Sequence, residues 1–421
     1  MPDAFPPDAC PSPARAAHLA DRFAAIRADS LRLTEGLSAE DMAVQSMPDA
    51  SPVKWHLAHT TWFFETFVLV PRGGRAPWRD SWGYLFNSYY DAIGARHPRP
   101  QRGLLTRPGV AEVLDWRRHV DAAMAGLLAG SPSAAVLDLV ELGLNHEQQH
   151  QELILTDLKH LLSHNPLQPA ASAHDGQVQG KDLPPPGWID HPGGLEEIGR
   201  DGAGFAFDHE GARHRVWLEP FRLADRPVST GEWLAFMADG GYRTPSLWLA
   251  DGWAAVQTEG WQAPAYWRPD QDGGWTVFTL AGTRPPDPAE PVIHVSQYEA
   301  DAFARWAAGC RAGVRLPTEA EWEAAAPDLR HRHGVHPAAM SGACAPGAVW
   351  EWTGSAYLPY PGYAPASGAV GEYNGKFMSG QMVLRGASCA TPPGHSRRSY
   401  RNFFPPATRW QVSGLRLACS A

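Results

Sequence analysis

The chain is expected to be an α+β protein: an N-terminal four-helix bundle followed by a domain of short strands and long loops. Three observations lead there. Before residue 165, four stretches return apolar residues at helical spacing; residues 166–192 are polar and rich in Pro and Gly; and beyond them short apolar runs are broken by Gly and Pro. The 421 residues exceed what one ordinary core organises, so two or three domains are expected.

The first helix begins near Ala14, with Leu19, Phe23, Ile26, Leu31 and Leu33 at roughly helical intervals. A second, dense in aromatics, runs from Val53 to Val70. A third spans Val110 to Leu128 on Val113, Leu114, Val120, Met124 and Leu127, and a fourth, the longest, spans Ala134 to Leu162. Helices of this length suit a bundle whose core sites are built from facing side chains. Between the second and third lies Pro71–Pro108, rich in Arg, Gly, Tyr and Trp. A connection that long is usually functional or disordered, and its aromatic content speaks against disorder. The division expected is a bundle at 14–165, a linker at 166–192 (PLQPAASAHDGQVQGKDLPPPGWIDHP) and a second domain at 193–421. In that domain HRVWLEPFRLA and MVLRGASC read as short strands, with helices near Thr230–Met237 and Gln297–Ala308.

Composition narrows the function. Apolar residues make up 44% and charged residues 19%, which is globular, and a net charge of −9 with interspersed signs argues against nucleic-acid binding. The five cysteines, Cys10, Cys310, Cys344, Cys389 and Cys419, form no C-x-x-C pair, so neither a disulfide framework nor a cysteine-type zinc site is expected. The start, MPDAFPPDACPSPARAAH, lacks a basic segment followed by an apolar run, and no stretch approaches the ~20 apolar residues of a membrane span. A soluble, cytoplasmic protein with no membrane partner is the expectation. The 18 tryptophans suit aromatic-lined pockets as well as ordinary cores.

The sharpest local feature is NHEQQHQE, residues 145–152. His146 and His150 stand four apart, so on a helix both rings leave one face and can share an ion, although such pairs also occur as two solvated side chains. A third ligand must come from elsewhere, and KWHLAHTTWFFE on the second helix offers His56 and His59. Three neutral imidazoles with open positions opposite suit iron(II), copper or zinc. The pattern is not H-E-x-x-H, because Glu147 is followed by Gln148, Gln149 and then His150, so a metalloprotease is not indicated. In the long loop Tyr89 and Tyr90 are adjacent, beside Asn87. Tyrosine can supply a proton or electron near an oxidising metal, though such a pair also serves packing. Arg96, Arg99 and Arg102 recur every third residue, as a solvated basic loop or as forks for a carboxylate.

Taken jointly, NHEQQHQE, LAHTTWFFE, FNSYYDAIGARHPRPQRGLLTRP and YRNFFPPATRWQVSGLRLA resemble the ergothioneine-forming sulfoxide synthases. Those enzymes couple a DinB-like four-helix bundle to a domain like the formylglycine-generating enzymes, a fold related to C-type lectins. RLPTEAEWEAAA (315–326), VWEWTGS (349–355) and VLRGASC (383–389) resemble signatures of that second domain. The resemblance covers nearly the whole chain from about residue 14. It implies an iron(II), dioxygen-dependent enzyme joining hercynine, the trimethylated betaine of histidine, to a sulfur donor at the ring carbon between its nitrogens. Position by position it implies His59, His146 and His150 as iron ligands, with His56 outside the matched position. Gln149 would bond the hercynine imidazole, and Asn402, Phe403 and Phe404 would hold the betaine end. Tyr89 and Tyr90 match the paired tyrosines of the cysteine-using branch, and Arg99 and Arg102 match positions that hold the donor's carboxylate. Ser379, Gly380 and Ala387 depart from the pattern and bear on the donor, which the resemblance leaves open between cysteine and the selenosugar of a sibling branch, the selenoneine synthases. The formylglycine-generating enzymes bind copper through cysteines; Cys389 here lacks a partner at short spacing. Two further readings remain: a DinB-type zinc-dependent thiol transferase, and a lectin-like binding protein.

Overall fold

Pro13 opens the first helix, α1 (Pro13–Arg32), at the position where a missing N–H costs least. Its stripe of Ala16, Leu19, Phe23 and Ile26 is buried. Helix α2 (Val53–Phe64) is buried on every side, as its aromatic density predicts. The expected extension to Val70 is present, but not as one regular helix. Glu65–Leu69 forms a wide turn in which the Val70 N–H reaches the Glu65 carbonyl, and Val70–Gly73 completes it. The Glu65 carboxylate accepts from the Trp78 backbone N–H (3.0 Å) and the Trp116 indole N–H (2.9 Å), which ties this turn to its surroundings.

Helix α3 (Val110–Ala129) starts where the Glu112 carboxylate accepts the Gly109 N–H at 2.9 Å. Helix α4 (Ala134–His164) is the longest, and α1 and α2 each pack against both α3 and α4. The α2–α4 crossing is close at Gly143, where an added Cβ would lie 2.6 Å from the Phe64 ring and 2.8 Å from that of Phe63. The long loop is ordered by a short helix, Trp82–Phe86, and a tight turn, Arg99–Leu104.

The computed structural model describes residues 13–172, 183–202, 204–310, 312–330 and 333–420. Cys10 and residues 173–182 of the expected linker lie outside the described residues. Two compact units emerge: Met1–His164 with Pro365–Asn374, and Asn165–Ala364 with Gly375–Ala421. The first is the four-helix bundle, joined by a ten-residue segment from far along the chain that no local pattern foretells. Among the described residues no helix is long and apolar enough to cross a membrane.

The second unit is built from short strands. One sheet has the order β1 (Trp188–His191), β4 (Phe221–Ala224), β13 (Ala418–Ser420), β8 (Val314–Arg315). Another has β11 (Asn402–Phe404), β10 (Met382–Gly386), β9 (Trp350–Ala356), β12 (Ser413–Leu415), with only β12 parallel to its neighbour. β2 (Gly194–Ile198) and β3 (His214–Leu218) form a hairpin, and β5 (Trp267–Pro269), β6 (Trp275–Thr279) and β7 (Gly282–Arg284) a meander. β1 falls inside the segment read as linker, because WIDH pairs in register with FRLA. Both expected helices form, as Thr230–Ala238 and Gln297–Cys310, together with Ala250–Glu259 and Glu319–Ala325.

The signature motifs of this unit are structural. In RLPTEAEWEAAA, Thr318 and Glu321 cap Glu319–Ala325 reciprocally, at 3.1 and 2.8 Å. Trp322 donates to Glu351 of VWEWTGS (2.6 Å), whose carboxylate pairs with Arg416 through two bonds of 2.8 and 2.9 Å. Arg385 of VLRGASC pairs with Glu323. These arginines are fully buried, so each needs its carboxylate.

Candidate metal centre

On α4, His146 and His150 point to α2 from one face, and His59 meets them from α2. Ring centroids lie 4.9 Å apart for His59–His146, 4.8 Å for His59–His150 and 4.6 Å for His146–His150. One nitrogen from each lies within 4.8 Å of the others. His59 and His146 are 0% exposed and His150 is 8% exposed. His59 is stacked between Trp55 (4.6 Å) and Trp62 (5.5 Å), its neighbours one turn away in each direction, which fixes the ring plane.

The nitrogens indicate what this group can hold. Nδ1 of His59 donates to the Phe86 carbonyl at 2.6 Å, and its Nε2 is buried with no hydrogen-bond partner. Both ring nitrogens of His146 are also buried with no hydrogen-bond partner. A buried polar atom left unpaired costs ~1–3 kcal/mol, and two adjacent residues of one cluster bear this cost together. Burial pushes all three imidazoles below the usual histidine range, His146 to about 3, and the neighbouring imidazoles add to the effect at His59 and His150. They are therefore neutral at pH 7, the form in which imidazole donates a lone pair to a metal. The residues fit a metal ion. His56, the alternative ligand on α2, is excluded from the cluster: its Nδ1 lies 2.8 Å from Nδ1 of His150, behind that ring.

Glu147 turns away from the cluster. Its carboxylate accepts from Arg27 (2.9 Å), Ser30 (2.6 Å) and Arg117. Burial alone would raise this carboxyl, but Arg117 and Arg27 hold it down at about 2. It is a buttress between α1, α3 and α4, not a base facing the histidine cluster.

The tyrosine loop is brought to the cluster. Asn87 organises it, donating to the carbonyls of Tyr90 (3.0 Å) and Gly94 (3.1 Å) and accepting the Tyr90 N–H at 3.2 Å. Tyr90 is buried against Trp62 and Phe67, and Tyr89 packs on it at 4.9 Å. Burial raises both phenols.

Tyr373, in the returning segment Pro365–Asn374, is not among the residues expected from the sequence. Its ring lies 5.5 Å from His146 and 5.6 Å from Tyr89, and its side chain is hydrogen-bonded to that of Tyr89, which is in turn bonded to Tyr90. Next to it, the two carboxylate oxygens of Glu372 accept the N–H groups of Asp91 (3.0 Å) and Ala92 (2.9 Å) and clamp the loop. With 280 residues between these partners, the only available signal was the adjacency of Glu372 and Tyr373 in an otherwise Gly-rich stretch.

The other expected site residues differ in their settings. Arg102 is 3% exposed, lies 3.3 Å over the Trp55 ring, and donates to Ser51 (2.9 Å) and Ser88 (3.0 Å). Among the described residues it forms no ion pair. Arg99 is exposed and caps the Asp49 carbonyl, so the two arginines are not equivalent. Gln149 is half-buried on α4 between the two histidines. Asn402, Phe403 and Phe404 form β11 of the second unit, where Phe403 stacks on Tyr357 at 4.1 Å, Phe404 packs on Trp410, and the side-chain Oδ1 of Asn402 accepts the Phe403 N–H.

Comparison with known proteins matches residues 22–154 to the DinB superfamily and residues 176–339 to the sulfatase-modifying factor enzyme 1-like domain. The chain is 33% identical to a hercynine oxygenase of Mycobacterium tuberculosis, across 95% of this chain and 98% of that protein. It is 34% identical to one of Mycolicibacterium thermoresistibile, across 96% and 94%. A formylglycine-generating enzyme of Thermomonospora curvata is 34% identical over 33% of this chain and 48% of its own.

Proposed function

Because the chain belongs to the hercynine oxygenase family, the ergothioneine sulfoxide synthases, we propose that it is a non-haem iron(II), dioxygen-dependent enzyme. Its reaction joins hercynine, at the imidazole carbon between the two nitrogens, to a sulfur or selenium donor. The observation that carries this reading is the trio His59, His146 and His150, neutral and buried, in which Nε2 of His59 and both ring nitrogens of His146 find no hydrogen-bond partner.

These three residues would hold the iron. When bound, iron supplies the redox chemistry that couples dioxygen to bond formation. The remaining chemistry falls to the chain. The Trp55–His59–Trp62 stack keeps the ligand set rigid and dry. The phenols of Tyr90, Tyr89 and Tyr373 form a hydrogen-bonded row beside His146. Held protonated by burial, such a row can deliver a proton to the reacting groups and be resupplied along its length. Gln149 is assigned to the hercynine imidazole. Phe403 and Phe404 are assigned to the quaternary ammonium, which an aromatic face attracts by ~0.5–2 kcal/mol, and Asn402 to the betaine end.

The donor is read from Arg102. A buried guanidinium lying flat on an indole, held by two hydroxyls and with no ion pair among the described residues, is a fork ready for a carboxylate. This favours cysteine over a selenosugar. Exposed Arg99 is assigned an outer, steering role.

The test is anaerobic mixing with iron(II), hercynine and either cysteine or a selenosugar, followed by air and mass spectrometry. Sulfoxide from cysteine is expected. Selenoneine from the selenosugar alone would reassign the donor, and no product from either would overturn the reaction.

A further inference from the structure

The metal reading leaves two buried polar residues between α2 and α4 without a task. The geometry points to one: we propose that His56 and Asp157 form a relay behind His150 that fixes its tautomer and ring orientation for metal binding. They are positioning residues, and the inference rests on the metal site proposed above.

The distances define a continuous path. Asp157 Oδ2 lies 3.0 Å from His56 Nε2, and His56 Nδ1 lies 2.8 Å from His150 Nδ1. Asp157 Oδ2 also accepts the Ser51 backbone N–H at 2.8 Å, which holds the carboxylate in place. All members are buried. The helices set the spacing: His56 precedes His59 by three residues on α2, and Asp157 follows His150 by seven, two turns along the same face of α4. The path therefore leaves α4 at Asp157, crosses to α2 at His56 and returns to α4 at His150.

Hydrogen-bond chemistry then dictates each proton. A carboxylate only accepts, so the Nε2 of His56 carries the hydrogen. A neutral imidazole has one N–H, so His56 Nδ1 is an acceptor. The nitrogen facing it, Nδ1 of His150, must donate. The lone pair of His150 is thereby left on Nε2, available to a metal. His59 reaches the same tautomer differently, through the Phe86 carbonyl. A metal-bound histidine ordinarily gives its other N–H to a carboxylate, carbonyl or water; here an imidazole is interposed before the carboxylate. The interposed ring lets a carboxylate on α4 act on a histidine of the same helix two turns away, farther than its own side chain reaches.

The experiment uses the full chain, stripped of metal. Titration with cobalt(II), read by calorimetry and by its visible absorption, is compared for the unaltered protein, His56→Phe, His56→Asn, Asp157→Asn and His146→Ala. The His56→Phe protein should bind cobalt 10–100-fold more weakly, with altered visible bands, while its unfolding temperature in the metal-free state stays close to that of the parent. His56→Asn, whose carbonyl oxygen can accept the His150 N–H from the place of Nδ1, should recover most of the affinity. Asp157→Asn should weaken binding several-fold. Wild-type affinity and spectrum in both His56→Phe and Asp157→Asn would overturn the relay. Equal titration of the parent and His146→Ala would instead remove the metal site itself. Selective 15N labelling of histidine in the unaltered protein needs no variant: Nδ1–H on His150 and Nε2–H on His56 are expected, and the opposite tautomers would overturn the assignment even if a variant failed to fold.

Discussion

Glu147→Gln isolates the buttress that ties α4, behind the histidine cluster, to Arg27 and Arg117. The change preserves volume and removes only charge. Arg117, 1% exposed, would then retain Thr60 Oγ1 (3.3 Å) and the Arg27 carbonyl (3.0 Å) but no carboxylate. Arg27 would keep Asp121 (2.7 Å) and Thr61 (3.0 Å). Removing one partner of a fully buried ion pair costs ~3–5 kcal/mol, chiefly from the charge left behind. At ~2–4 °C per kcal/mol for a unit of this size, the bundle's unfolding temperature should fall by ~6–20 °C, measured by calorimetry on the metal-free protein. The double change Glu147→Gln with Arg117→Met should recover part of the loss, since it removes the orphaned cation. The pH dependence has a definite sign. Folding lowers this carboxyl from 4.5 to about 2, so its contribution is complete above pH 4.5 and disappears as pH falls towards 2. The gap between parent and variant should close over that window. A drop below ~2 °C at pH 7, or a gap that persists at pH 2–3, would refute the reasoning.

Other outcomes follow from the same geometry. The metal-free protein should lose stability as pH falls from 6.5 towards 3, by up to ~1.4 kcal/mol per pH unit for His146, because the unfolded chain binds the proton that burial denies the folded one. A histidine-bound metal should oppose that loss, and denaturation curves with and without cobalt(II) check both. Tyr373→Phe should leave metal affinity unchanged and slow turnover by ~10-fold or more, consistent with loss of a positioned proton donor; an unaltered rate would remove it from the row. Arg102→Lys should raise the KM for the donor by at least ~10-fold and leave that for hercynine nearly unchanged, since an ammonium cannot reproduce a flat fork stacked on Trp55; equal effects on both would refute the carboxylate assignment.

The bundle was largely legible because its helices carry a 3.6-residue period, and His146 and His150 share a face by that same period. Spacing alone does not choose between His56 and His59, since three residues apart they also share a face; only the family resemblance implied His59. What sets the two rings apart are contacts with Phe86 for His59 and Asp157 for His56, which lie far along the chain. Arg99 and Arg102 looked equivalent by spacing, yet the turn Arg99–Leu104 exposes one and buries the other. Glu147 directly follows His146 in NHEQQHQE, yet it faces elsewhere. One residue of helical rotation, about 100°, is enough to turn it towards α1 and α3. Tyr373 and Glu372 had no periodic context, and only folding brings them to the bundle.

The second unit spends its best-marked residues on Trp322, Glu351 and Arg416, and on Glu323 with Arg385, all of which hold strands and a helix together. A protein could lose every trace of reactivity and still keep those letters, because their bonds hold strands and helix together. Matching them identifies an architecture that evolution can furnish with different chemistries, or with none. What a chain of this kind transforms has to be looked for among its bundle histidines and the aromatic residues that gather round them.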